Sequence, residues 1–132
     1  MNNVVFINKI ISREEVADLL NSADAFLLPL KDFGRPYFGL STKLYEYQAI
    51  RKPILCCDDG QPAEYVKDTN SGLVVKSGDY MALTKAIVFL KNNPHFSQDL
   101  GKNGRKYAEN NLSIERIGMQ MKRLFASMCV LK

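Results

Sequence analysis

Residues 38–55 read Phe-Gly-Leu-Ser-Thr-Lys-Leu-Tyr-Glu-Tyr-Gln-Ala-Ile-Arg-Lys-Pro-Ile-Leu. Here a glycine-containing loop runs into a short predicted helix that carries Lys43 and Glu46 and ends at Pro53, where an apolar strand opens. A helix start presents unpaired backbone N–H groups and the positive end of the helix dipole, and both suit a phosphate. Gly39 allows a ligand to approach the backbone closely. Thr42, Lys43 and Glu46, together with the free N–H groups, could hold a phosphorylated sugar nucleotide. The same residues also suit a helix packed on a sheet behind an ordinary loop, because short motifs match often by chance.

The flanking elements follow from hydrophobic pattern and cap chemistry. Val4–Ile7 is short, apolar and mostly β-branched, so a strand is predicted. Ser12 and Glu15 have capping-box spacing, with Val16, Leu19 and Leu20 on one helical face behind them and Ala23 and Asp24 closing the helix. Residues 25–30 form a second strand, apolar throughout as for a strand covered on both faces, with Pro29 marking where pairing stops. The polar turn from Lys31 to Tyr37 then lies beyond the C-terminal end of a strand, where doubly wound sheets place ligands. Residues 53–57 give a third strand, 62–66 a short helix with Pro62 in its first turn, and 72–75 a fourth strand. Three helices close the chain over about 79–128. Asp79 caps the first, in which Met81, Leu83, Ala86, Ile87 and Leu90 are available to pack inward, and Pro94 stops it. Phe96, Leu100, Tyr107 and Ala108 punctuate the second. Ser113 caps the third, where Ile114, Ile117, Met121, Leu124, Phe125 and Met128 form a stripe read as core. The order of elements reads as α/β with a parallel sheet and a helical tail.

Composition narrows the function. At 132 residues one domain is expected, with 46% apolar and 24% charged residues. The net charge of +4 favours anions mildly, but Lys and Arg are interspersed with acids, so no nucleic-acid partner is expected. No apolar run reaches membrane-span length, and the first six residues lack the form of a signal peptide. Cys56 and Cys57 are adjacent in a predicted strand and Cys129 is unmatched, which suits reduced, buried thiols and a cytoplasmic location. The one histidine is His95 and no C-x-x-C occurs, so no metal is expected.

The motifs in their order carry a family resemblance. A strand ending in proline (Phe26-Leu-Leu-Pro29) precedes the Gly39-to-Ile54 run, which has the form G-L/S…K-x-x-E-Y-x-A-x-x-K-P-I/V; a G-L/F-V-V-x-x-G-D segment follows at Gly72 to Asp79. Over nearly its whole length the chain resembles the C-terminal half of a GT-B-fold, family-four glycosyltransferase, the retaining group that uses nucleotide sugars. The resemblance implies a Rossmann-like parallel sheet with flanking helices and a partial donor-binding domain over residues 1–132. It places Glu46 as the second glutamate of the family's E-x7-E motif, a clamp for the ribose hydroxyls of the donor. It places Gly39, Leu40 and Ser41 in the loop whose N–H groups meet the donor phosphates, with Thr42 and Lys43 beside them. Lys43 reads equally well as a solvated helix lysine.

Two departures stand out. The first glutamate of the motif is replaced by Phe38, which cannot accept a hydrogen bond, so sugar recognition is either different or supplied by Tyr37, Asp32 or Arg35. Two strands and a helix, and the N-terminal acceptor domain, are not represented. A truncated chain is therefore expected, inactive alone and inclined to self-associate through uncovered sheet edges. The family further implies a UDP-sugar donor, no cofactor, catalytic residues outside this chain, a glycan or lipid-linked acceptor in surface polysaccharide assembly, and peripheral membrane contact for the full enzyme only. A stand-alone α/β nucleotide-binding or protein-interaction module is the alternative, since fold does not dictate function.

Overall fold

A computed structural model describes residues 3–30 and 39–129. Its centre is a three-stranded parallel sheet of β1 (Phe26–Pro29), β2 (Ile54–Cys57) and β3 (Gly72–Val75), in the order β1-β2-β3. The register sets Phe26 beside Ile54 and Ile54 beside Gly72. The connections are helical, as parallel neighbours require. Helix α1 (Arg13–Ser22) precedes β1, α2 (Thr42–Ala49) leads to β2, and α3 (Gln61–Asp68) leads to β3. Helices α4 (Tyr80–Asn92), α5 (Pro94–Asn111) and α6 (Ile114–Cys129) finish the chain.

Both faces of the sheet carry a core. On one face Leu28, Ile54 and Cys56 pack against Leu44 of α2 and Val66 of α3. On the other, Leu55 meets Leu90 of α4 and Leu100 of α5, with Leu73, Leu83 and Ala86 around them. α5 crosses the starting ends of β2 and β3 at very short range, and two glycines permit it. A Cβ on Gly101 would stand 2.3 Å from the Arg51 carbonyl oxygen, and one on Gly104 would stand 3.0 Å from Ser71 Cβ. The caps read from the sequence are formed. Ser12 and Glu15 make a reciprocal capping box on α1, Asp79 Oδ1 accepts from the Ala82 N–H at 2.8 Å, and Ser113 Oγ accepts from the Arg116 N–H at 3.3 Å.

Four expectations are corrected. Val4–Ile7 is not a strand: it is irregular, with Val5 and Phe6 each 88% exposed. β-Branched residues favour an extended chain, but a strand exists only beside another strand, and no strand among the described residues lies next to this run. β1 is covered on one face, not both. Phe26 and Leu28 are buried, but Leu27 is 42% exposed because α4 reaches over Leu55 and Leu73 and not over β1. The α6 stripe is not core. Every residue from 114 to 128 is exposed, since α6 leaves the sheet after Leu112 and meets the body through α5. Within α4, Leu83, Ala86 and Leu90 pack inward as expected, but Met81 and Ile87 face out.

Cys56 and Cys57 are buried free thiols. Burial, with smaller contributions from Asp58 and Cys57, pushes the Cys56 thiol up to about 12, so it stays protonated at neutral pH.

The close crossing of α5 predicts the cost of a single methyl group. Gly101→Ala would drive its Cβ into the Arg51 backbone and should lower stability in urea by about 1–3 kcal/mol. Gly118→Ala on α6, where a Cβ meets nothing within 4 Å, should not lower it at all. Equal stabilities of the two variants would refute the crossing.

Candidate functional site

The C-terminal edge of the sheet gathers the ends of all three strands. The Leu30 N–H donates to the Cys57 carbonyl at 3.2 Å, the Asp58 N–H donates to the Val75 carbonyl at 3.2 Å, and Ser77 Oγ donates to the Leu30 carbonyl at 3.0 Å. Three helices start from this edge, and they start differently. α4 is capped by the Asp79 carboxylate. α2 and α3 have Ser41 and Gly60 at the N-cap, and neither supplies a side-chain cap. Ser41 adopts the extended backbone of an N-cap residue, yet its first turn closes only through the backbone, the Leu44 N–H donating to the Ser41 carbonyl at 3.0 Å. Among the described residues no acceptor meets the N–H groups of Thr42 and Lys43. At Thr42 and Lys43, the positive end of the helix therefore offers donors of the kind that suit an anion.

α2 divides its side chains by direction. Leu44 and Gln48 point into the body and are fully buried. Tyr45 lies edge-on to Tyr65, and Tyr47 stacks on Phe26 with ring centroids 4.1 Å apart. Thr42, Lys43 and Glu46 are exposed, and their three- and four-residue spacing puts them on one face within a single turn. Glu46 makes no ion pair among the described residues, and its charge, second to burial, holds the Tyr47 hydroxyl above its ordinary value. Gly39 and Leu40 form the approach, with Leu40 half-buried on the core beside Leu44. Of the six residues singled out from the sequence, Thr42, Lys43 and Glu46 share one exposed face, while Leu40 packs on the core.

One of them is differently employed than expected. The Gly39 N–H is not free: it donates to Gln61 Oε1 at 2.8 Å. Gly39 takes a φ of 135°, a left-handed value open to glycine, and this lets its N–H turn toward α3. Gln61, the first residue of α3, was not legible as part of the site, because its contact with Gly39 spans 22 residues of sequence. Beside it, Asp58 Oδ2 accepts the Gly60 N–H at 2.9 Å, so this buried carboxylate shapes the turn into α3. Phe38, Tyr37, Arg35 and Asp32 lie outside the described residues. Two cavities, of 790 and 600 Å³, lie at the other end of the sheet, toward the strand starts. Glu46 is exposed.

This architecture is that of a parallel-sheet α/β domain, and comparison with known proteins supplies the family. Residues 1–107 match the family described as "Glycosyl transferases group 1", and the chain belongs to that family. It is 26% identical over 123 residues to the capsular polysaccharide biosynthesis glycosyltransferase CapM of Staphylococcus aureus, which covers 93% of this chain and 30% of CapM. It is 28% identical over 124 residues to a GDP-mannose-dependent monoacylated alpha-(1-6)-phosphatidylinositol monomannoside mannosyltransferase of Corynebacterium glutamicum, covering 90% of this chain and 32% of that protein. Among solved structures, sucrose-phosphate synthase from Thermosynechococcus elongatus superposes with a TM-score of 0.78 at 25% identity, over 99% of this chain and 31% of that one. The chain therefore spans about a third of the length of each of these three proteins.

The uncapped start of α2 is testable by contrast with the capped start of α4. Ser41→Ala removes a hydroxyl that caps nothing and should change stability by under about 0.3 kcal/mol, whereas Asp79→Ala removes a cap and should cost about 1 kcal/mol. Urea denaturation measures both, and a Ser41→Ala loss as large as that of Asp79→Ala would show that Ser41 caps α2 after all.

Proposed function

We propose that this chain supplies the donor-binding part of a retaining glycosyltransferase. The observation that carries the reading is the α2 start: N–H groups without a side-chain cap at the C-terminal edge of a parallel sheet, with Thr42, Lys43 and Glu46 exposed on one face. In this reading the Thr42 and Lys43 amides and the Lys43 ammonium take the diphosphate of a nucleotide sugar, and the Glu46 carboxylate accepts hydrogen bonds from the ribose hydroxyls. Gly39 and Leu40 shape the loop, and Gln61 holds the Gly39 amide in place. Charge neutralisation of the departing diphosphate is the contribution to transfer that such an arrangement can make. The acceptor and the catalytic groups belong to parts of the enzyme outside this chain. A UDP-sugar is the proposed donor; the name of the Corynebacterium relative specifies GDP-mannose, so both nucleotides belong in the test. A glycan or lipid-linked acceptor in surface polysaccharide assembly is proposed with it, in line with the name of the Staphylococcus relative.

The isolated chain should bind UDP or GDP saturably in calorimetric titration and should transfer no sugar. Glu46→Ala should weaken binding by about 10- to 100-fold, the loss of hydrogen bonds to a charged acceptor. Unchanged affinity in that variant would sink the clamp, and absence of binding by the folded wild type would favour an α/β interaction module instead.

We further propose that the chain self-associates in isolation. Leu27 on the edge strand β1 and the apolar side of α6 are uncovered. Sedimentation velocity should show concentration-dependent dimers or larger species; a clean monomer at high concentration would refute this.

A further inference from the structure

The larger cavity, 790 Å³, lies at the end of the sheet opposite the α2 start, between the strand starts, α4 and α5. Its size suits a small organic ligand. Its floor is apolar, with Leu55, Ile87 and Leu90, and Ile87 is 47% exposed into it. Its rim is cationic: Arg51, Lys52, Lys91 and Lys102 line it, against a single carboxylate, Asp24. The second cavity, 600 Å³, shares Arg51 and Lys102 and adds Arg105 and Lys106. Six of the chain's 18 Lys and Arg residues thus line two adjoining cavities. Part of this charge is answered within the fold. Arg105 donates to the Ala49 carbonyl at the end of α2 and pairs with Glu109, and Lys102 pairs with Asp99 at 2.8 Å. Arg51, Lys52 and Lys91 have no carboxylate partner among the described residues.

Arg51 carries a second, independent signal. It has a φ of 62°, in the left-handed region that L side chains rarely adopt. It follows the C-cap of α2, where glycine is the usual choice. α5 fixes its backbone, since Gly101 approaches the Arg51 carbonyl too closely for any side chain. The chain therefore holds a long cationic side chain at a position whose geometry asks for none, and that side chain lines both cavities. Strained non-glycine residues of this kind gather where a side chain has a task.

We propose that this cavity is a second anion site, distinct from the one at the α2 start, which takes a small organic phosphate. The phosphate sits on Arg51, Lys91 and Lys102, and the apolar portion of the ligand lies on Ile87 and Leu90. The first turn of α5 adds to the fit. Asn93 precedes it without capping it, donating to the Phe89 carbonyl instead, and Ser97 and Gln98 line the cavity. α2 connects the two sites: its eight residues span about 12 Å between Thr42 and the Arg51 end.

The test is an amide-shift titration of the isotope-labelled chain with inorganic phosphate and with hexyl phosphate. Saturable shifts at residues 51, 52, 91–93 and 95–102 are expected, with hexyl phosphate the tighter ligand and both weakened by salt. Arg51→Gly removes the cation and also relieves the backbone, so its thermal midpoint should be unchanged or raised while affinity falls about fivefold or more. Lys102→Gln, at an exposed position that does not threaten folding, should weaken binding similarly. Glu46→Ala should leave these shifts intact, which separates this site from the donor site. Phosphatidylcholine vesicles containing phosphatidic acid identify the source of the phosphate. Co-sedimentation abolished by Arg51→Gly places it on a lipid, and hexyl phosphate binding without co-sedimentation makes it a soluble ester. No saturable shift at these residues, equal affinity for the two phosphates, or wild-type affinity in both variants would overturn the proposal.

Discussion

The geometry at both ends of α2 depends on one buried amide. Gln48 is fully buried, and every polar atom of its side chain is met. Its nitrogen donates to Thr69 Oγ1 and Ser71 Oγ, each at 3.3 Å, and its oxygen accepts the Tyr65 hydroxyl at 2.9 Å. Thr69 and Ser71 are joined at 2.8 Å, and Thr69 is anchored in turn to the Tyr65 carbonyl. An amide left unpaired in such a place would cost several kcal/mol in an apolar medium, roughly 2–7 by transfer measurements, so α2 is stable in one rotation and one height against α3 and β3. The Tyr65 ring, edge-on to both Tyr45 and Tyr107, closes the network, and burial holds its hydroxyl protonated well above the ordinary tyrosine range. Gly104 of α5 leaves just enough room for Gln48 beside it. Glu46 stands two residues before this anchor and Arg51 three residues after it. The direction in which each faces follows from where Gln48 is held.

Local chemistry was legible in the sequence, and contacts between distant segments were not. Pro53 opening β2, the run Gly72–Val75 as a strand, and the caps at Ser12, Asp79 and Ser113 all depend on neighbours within four residues, and all are present. The contiguity of Gly39 to Glu46 is local as well. Gln48 carries no signal in the sequence because its partners are 21 and 23 residues away. Gln61 escaped notice for the same reason. The apolar runs misled in a consistent way. Val4–Ile7, Leu27 and the α6 stripe have the composition of buried elements, but composition states only that a surface avoids water and does not say what covers it. Where no neighbour lies against such a run among the described residues, it stands exposed.

The family assignment and the site stand on different footings. Family membership follows from the match over residues 1–107 and agrees with the parallel sheet. The site follows from the physical state of α2: two helix amides without acceptors among the described residues and a carboxylate without a cationic partner, all on an exposed face at the edge where the strands end. The two proposed anion sites differ in kind. At the C-terminal edge of the sheet, among the described residues, backbone amides lead. At the opposite edge, side-chain cations lead and the floor is apolar.

The most direct measurement is amide hydrogen exchange of Thr42 and Lys43 with and without UDP. If these N–H groups hold the donor diphosphate, saturating nucleotide should slow their exchange well beyond that of Leu44, whose N–H already donates to the Ser41 carbonyl. Unchanged exchange at Thr42 and Lys43, with protection appearing instead at residues 51, 52, 91–93 or 95–102, would contradict the assignment of the α2 start as the nucleotide site.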